Sequence, residues 1–372
     1  MRLEGIAIPG EEAAEERVWR VLASGFEERT PAPRERRLWR PALVLAAVAL
    51  LAGVIASPPG RAVLGDLREA VGVKKAAPAL FSLPAPGRLL VLADQGPWVV
   101  QADGSKRLLG PYRDASWSPH GLYLAATRAN ELLALDPKGT VRWSLARPAV
   151  RFPRWVGTRT DTRIAYLTTS RLHLVAGDGT RDVDLCGEPA AARVAPAWRP
   201  APGRVLAYAT TKGRIYVLDT DHCSLSWRSA PGPVPTRLEW SSDGRLLLAF
   251  APYGLRVYNG RGRVVAQDDP SDATRDADAT FIPGTHKVAV IRVHGSQSDV
   301  FLLQTGRLLF RGTGEFRELA ASPDGRWLLV TWPTADQWVF VRVVGRRRIV
   351  AVSGLTRQFG SVPTLAGWCC AS

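Results

Sequence analysis

The chain has 372 residues, 46% of them hydrophobic and 22% charged, with 34 Gly and 28 Pro, which excludes wholesale disorder and leaves apolar material for a large core. The net charge is +15, most of it from arginine, and 13 Trp stand against a single Met. Cys186, Cys223, Cys369 and Cys370 form no C-x-x-C pair and have no His at ligand spacing, so the pattern offers no zinc site.

Residues 1–40 carry eight acidic side chains and form a segment expected on the cytoplasmic side. Within residues 11–29, Val18, Trp19, Leu22 and Phe26 fall at helical spacing among charges, which predicts a short amphipathic helix. Such a helix is too short to stand alone, and it reads either as a solvated membrane-proximal element or as a docking helix for a cytosolic partner. Residues 30–37 (T-P-A-P-R-E-R-R) break it as a linker.

Residues 41–57 read P-A-L-V-L-A-A-V-A-L-L-A-G-V-I-A-S, an uncharged run near the short end of a membrane span. Pro58 and Pro59 end the expected transmembrane helix, since proline cannot continue the hydrogen-bond ladder. A cleaved signal peptide is the competing reading, with Val54-Ile55-Ala56 as its cleavage site, but the long acidic leader fits an uncleaved anchor better. Arg34, Arg36, Arg37 and Arg40 crowd the front edge while Arg61 alone lies close behind, so the amino terminus is expected inside and the rest outside. Residues 58–82 are expected to be a juxtamembrane helix and linker, with Val63, Leu64, Leu67, Ala70 and Val71 on one face.

Residues 83–372 form a repeat array. Trp117 opens W-S-P-H-G, Trp155 W-V-G, Trp198 W-R-P-A-P-G, Trp240 W-S-S-D-G, Phe281 F-I-P-G and Ala321 A-S-P-D-G, while Trp368 stands in A-G-W. The spacings are 38, 43, 42, 41, 40 and 47 residues. A period near forty with short Val-, Leu- and Tyr-rich runs between turn residues predicts four-stranded propeller blades. Residues 88–93, 98–102 and 106–109 supply three strands without a leading one, and residues 364–368 supply one strand with nothing after it. Joined, they make a composite unit, and the prediction is an all-β, seven-bladed β-propeller preceded by a transmembrane helix and short flanking helices.

The W-S-P-H-G, W-S-S-D-G and A-S-P-D-G turns resemble those of TolB-like propellers, with a looser likeness to Trp-Asp-repeat propellers whose Gly-His and Trp-Asp pairs are missing here. Residues 133–143 and 217–227 resemble quinoprotein-type repeats. The layout of stub, anchor and basic propeller is similar to bacterial membrane-anchored ectodomain proteins, some of which look like anti-sigma-factor analogues. These resemblances imply fold more than function.

Chemistry is sparse. G-x-S-x-G does not occur, and no hydrolase domain is expected to follow the propeller. His120, His173, His222, His286 and His294 are scattered over the repeat, in turn or strand-surface roles. The acidic stretch 268–278 reads as a solvated inter-blade loop, since a calcium loop would need a sharp-turn Gly and a closing Glu. Arg346, Arg347 and Arg348 are expected at an exposed hairpin tip. Cys186 and Cys223 could pair only through a loop excursion, because the strand order sets them at opposite edges of the ring; Cys369 and Cys370 are expected as one buried and one exposed thiol.

No residue is assigned a catalytic, cofactor-binding or metal-ligating role, and no cofactor is expected. From residue 88 onward 37 Lys and Arg face 24 Asp and Glu, a net +13. Placed outside the cytoplasm, that charge favours a protein or an anionic envelope polymer as partner of the propeller face, with nucleic acid disfavoured. The expected function is a non-catalytic, membrane-anchored binding scaffold, with a sensor or regulator signalling to the cytoplasm as its extension. The alternatives are an envelope-assembly or quinoprotein-like factor, and an enzyme with an unrecognised site in the central channel.

Overall fold

The computed structural model describes residues 76–77, 82–158, 160–200 and 204–370. The expected membrane span 41–57, the helix within residues 1–40 and the helix at 60–75 lie outside the described residues. Among the described residues no helix is long and apolar enough to cross a membrane.

Seven sheets of four antiparallel strands, one of them extended by a short fifth strand, follow one another around a ring, confirming the seven-bladed propeller. Blade 1 joins Arg88–Ala93, Gly96–Val100 and Lys106–Leu108 to the last strand of the chain, Thr364–Cys369. The innermost strands of blades 2 to 7 are Asp114–Trp117, Val150–Gly157, Ala197–Trp198, Arg237–Trp240, Thr274–Phe281 and Leu319–Ala321. Each is followed by two largely buried strands and one more exposed outer strand, as in blade 2, where Leu124–Arg128 is buried and Val141–Ala146 largely exposed.

The middle strands are apolar at consecutive positions because both faces of a blade are covered. Successive side chains of a strand point to opposite faces, so Leu89 and Val91 pack against Trp338 and Phe340 of blade 7, while Leu90 packs against Leu124 and Ala126 of blade 2. The same division repeats around the ring, giving one apolar cluster at each junction between neighbouring blades. The repeated Trp serves these junctions by reaching back to the preceding blade. Trp198 donates its Nε1–H to the Arg154 carbonyl at 2.8 Å and Trp240 to that of Ala197 at 3.1 Å. Trp155 stacks with Tyr123, Arg88 lies over Trp117, and Trp368 meets Phe340 edge-on.

Three local departures have physical causes. The second strand of blade 1 begins at Gly96 and not at Trp98, because Ala93 pairs with Gly96 across a two-residue turn. Gly96 has φ +122°, and a Cβ there would lie 2.1 Å from the Gly110 carbonyl oxygen, so glycine is required. The long final interval of the repeat holds a short helix, Leu355–Phe359, whose buried Leu355 and Phe359 plug the junction of blades 7 and 1. Ala76–Ala77, within the expected linker, pairs in parallel with Ala351 and Val352 at the outer edge of blade 7.

The cysteines settle one open reading and correct one expectation. Cys186 and Cys223 are bonded, with Cα atoms 6.0 Å apart. The outer strand of blade 3 is only Val183–Asp184, after which the chain crosses to blade 4; there the Tyr216 hydroxyl donates to Glu188 at 2.6 Å and Ala190 bridges Thr210. That crossing is the excursion that the strand order demanded. Cys369 and Cys370 are likewise bonded to one another, both partly buried, in place of one buried and one exposed thiol.

Two outcomes are expected. Deleting residues 364–372 leaves blade 1 without its inner strand and exposes an unpaired sheet edge; the shortened protein should lose its cooperative melt and elute as aggregate in size-exclusion chromatography. Replacing Cys186 and Cys223 together by serine removes a cross-link between residues 37 positions apart, worth up to about 4 kcal/mol on the chain-entropy account. Denaturant titration should show that loss, and reductant should lower the parent toward the double variant.

Candidate functional site

Where the inner strands begin, the channel opens into a cavity of about 1080 Å³. Seven arginines (113, 151, 154, 193, 237, 275 and 317) and five carboxylates (Asp114, Glu239, Asp278, Glu315 and Glu318) line it. Six of these arginines lie at or shortly before the starts of inner strands: four residues before Trp117, four before Trp155, five before Trp198, three before Trp240, six before Phe281 and four before Ala321. Blade 1 alone, whose inner strand starts at Thr364, breaks the ring.

The charges are unevenly matched. Arg237 reaches Glu239 and Asp278, each at 2.8 Å, and Asp278 also accepts the Leu319 N–H at 2.8 Å, so one carboxylate ties blade 6 to blades 5 and 7. Burial opposes the Arg237 charge, but Asp278 and Glu239 more than offset it and hold the guanidinium protonated above its usual range. Arg275 pairs with Glu315 at 2.7 Å, and Arg317 approaches the same carboxylate at 4.0 Å. On the opposite side Arg113, Arg151, Arg154 and Arg193 face a single carboxylate, Asp114, which lies 4.0 Å from Arg154 and accepts the Phe152 N–H at 2.9 Å. Burial raises the Asp114 carboxyl above its ordinary value, against the pull of Arg154 and that N–H. Blades 2–4 thus contribute a formal +3 (four cations less one anion), and blades 5–7 contribute −1 (three cations less four anions).

Blade 3 is locally distorted at this mouth. Arg154 stands opposite Ala165 but Arg151 opposite Leu167, so one extra residue is inserted between them. Ala149 and Phe152 both adopt left-handed backbone, at φ +54° and +52°. A bulge of this kind re-aims side chains; here Arg151 and Arg154, three residues apart, both line the cavity.

The acidic stretch 268–278 departs from the solvated loop expected of it. Asp276 and Asp278 sit on the inner strand of blade 6 and are buried. Asp276 faces Arg292 at 2.9 Å, while Asp278 turns to the channel across the bulge at Ala277. No group of His, Cys, Asp and Glu suited to a metal is found among the described residues. The histidines are dispersed, as expected: His173 against Thr168 and Asp184, His222 near Asp219, His286 on Asp243 and His294 on Asp299. His120 lines a second cleft of about 740 Å³ between blades 2 and 3, with Tyr123, Trp143 and Trp155. Arg346, Arg347 and Arg348 are exposed at the tip before Ile349, as predicted.

The fold is a seven-bladed β-propeller, similar to those of WD40 domains. The chain is similar in fold to the carboxyl-terminal WD40 domain of Sif2 (TM-score 0.53, 15% identity, 81% of this chain and 90% of that one). It is also similar to the Pan2 WD40 domain of Neurospora crassa (TM-score 0.51, 10% identity, 66% and 80%) and to a chain of a mitotic checkpoint complex (TM-score 0.51, 14% identity, 76% and 88%). No protein-family profile matches the sequence, and no curated protein matches it.

Glu318 gives this site a pH signature. Burial, assisted by the negative charge of Asp278, pushes its carboxyl up to about 7 against the Leu365 N–H, Arg237 and Arg317. A carboxyl with a raised folded pKa favours folding in its protonated form, so this contribution is full below about pH 4.5 and is lost as pH rises through about 7. Glu318→Gln, neutral at every pH, should melt higher than the parent near pH 8 and close to it near pH 5. Parallel melting curves across that range would show that Glu318 titrates as an ordinary carboxyl.

Proposed function

We propose that the chain is a membrane-anchored binding scaffold of TolB-like, bacterial ectodomain type, whose propeller presents the arginine-lined channel mouth to a protein or an anionic polymer outside the cytoplasm. The observation that carries this is the mouth itself: seven arginines against five carboxylates in one cavity, with the surplus on one side. A low-dielectric concavity lined by surplus cations focuses its field on a passing anion, and guanidinium forks suit carboxylate and phosphate groups. The uncharged run 41–57 and the arginines before it support the anchor and its orientation. The likeness to WD40 domains and to a chain of a mitotic checkpoint complex supports protein binding as a use of this fold.

The seven blades and the arginine surplus on the axis stand against the quinoprotein-like alternative, which eight blades or an acidic axial pocket would favour. The lining carboxylates have no histidine among the described residues of the cavity, so no acid–base pair of that kind supports the enzyme reading. The amino-terminal segment is the means by which occupancy of the mouth would reach a cytosolic partner.

The full-length protein in intact cells should be digested by external protease within the propeller only, and should resist alkaline extraction from membranes. Cross-linked capture from cells should fall at least about tenfold when Arg113 and Arg193 are both changed to Glu, since each reversal removes a charge-assisted contact and adds repulsion. Extraction by alkali, or capture unaltered by the double variant, would remove the anchor or the mouth from this reading.

A further inference from the structure

We infer that the part of the channel mouth formed by blades 2–4 is a phosphoryl-binding subsite, built from Arg113, Arg151, Arg154 and Arg193; this rests on the mouth being the binding surface. Among the described residues, Arg113, Arg151 and Arg193 have no carboxylate partner, in contrast to Arg237, Arg275 and Arg317 across the channel. Two of the four are held by backbone carbonyls: Arg151 donates to the Ala192 oxygen at 3.2 Å and Arg154 to that of Pro153 at 2.8 Å. A neutral acceptor fixes part of a guanidinium without cancelling its charge, and leaves other N–H donors of its fork for a ligand. The one nearby carboxylate, Asp114, is engaged by the Phe152 N–H and Arg154.

The backbone supplies the second observation. Ala149 and Phe152 adopt a conformation that side-chain-bearing residues rarely take, on either side of Arg151, and the inserted residue turns Arg151 and Arg154 into the same cavity. Such outliers persist only where the surrounding structure holds them, and they cluster at ligand clamps.

The ligand class follows from charge and shape. A formal +3 delivered from three blades surrounds its ligand from separated directions, whereas a carboxylate offers two oxygens in one plane and a single charge. A phosphoryl group presents three non-coplanar oxygens and a charge of about −1.5 to −2 near neutral pH. Bidentate guanidinium contacts from several sides match that group better. Inorganic phosphate and a phosphate monoester end share this chemistry, while a phosphodiester chain keeps the tetrahedral phosphorus with two free oxygens and one negative charge per phosphate.

The test uses the full-length protein in detergent micelles at physiological salt, with calorimetric titration of inorganic phosphate, of a glycerol phosphodiester and of succinate. Phosphate should bind and succinate should bind at least about tenfold more weakly, the margin of one charge-assisted contact. Binding of the diester as well points to a polymer, and binding of phosphate alone points to a free or terminal phosphate. Arg151→Gln and Arg193→Gln should each weaken phosphate by about tenfold, with an unchanged circular dichroism spectrum, and Arg346→Gln/Arg347→Gln at the exposed tip should leave it unaltered. Equal affinity for succinate, equal loss in the tip variant, or no heat with phosphate overturns the inference. A protein that captures a partner through the mouth yet ignores phosphate loses only this subsite; one that binds phosphate but captures nothing loses only the scaffold role.

Discussion

Five residue pairs, from Arg88 opposite Cys369 to Leu92 opposite Thr364, hold the two ends of the propeller in one sheet. Everything else about the ring depends on that pairing, because no blade has a core of its own. Each of the seven apolar clusters lies at a junction, shared by one blade and the next. Without closure, two of the junction faces would meet water, those of blade 1 and blade 7, and the cluster built on Leu89, Val91, Trp338 and Phe340 would not form. The buried helix Leu355–Phe359 thickens that same junction. Burial of this kind is the dominant favourable term in folding, so the terminal pairing governs the stability of sheets far from it in sequence.

Within this frame the inner strands have two duties that compete. Their alternating residues must fill the junctions, and the others face a channel too wide for them to fill. The second set is free to carry charge, and it does so in two styles. Between blades 5, 6 and 7 the charges are spent on one another and on backbone groups, as when Asp278 takes both Arg237 and the Leu319 N–H. Such a buried network gains position more than stability. Between blades 2, 3 and 4, among the described residues, only Arg154 approaches a carboxylate, Arg151 and Arg154 rest on backbone carbonyls, and the backbone departs from regular strand geometry.

The propeller and its closing strand were legible in the sequence because both rest on period: a Trp-led turn every forty residues, and a half-blade at each end. The strands expected at 88–93, 106–109 and 364–368 are found at Arg88–Ala93, Lys106–Leu108 and Thr364–Cys369. The site was less legible. Six arginines precede the landmark of their repeat, but at distances from three to six residues, and a bulge in blade 3 and another in blade 6 account for part of that scatter. The same bulges hid the character of Asp276 and Asp278, which in a plain reading of composition belong to an acidic loop. The link between Cys186 and Cys223 was left open by the sequence because strand order alone does not show the brevity of the outer strand of blade 3, a two-residue element that frees the chain to cross to its neighbour.

Seven like blades would give a guest on the axis seven equivalent bearings. The charge around this mouth removes that degeneracy, since positive excess lies over three adjacent blades and slight negative excess over the three that follow. An anion bound at this mouth would therefore sit eccentrically, toward blades 2–4, and anything rigidly attached to it would leave the ring along a single compass direction.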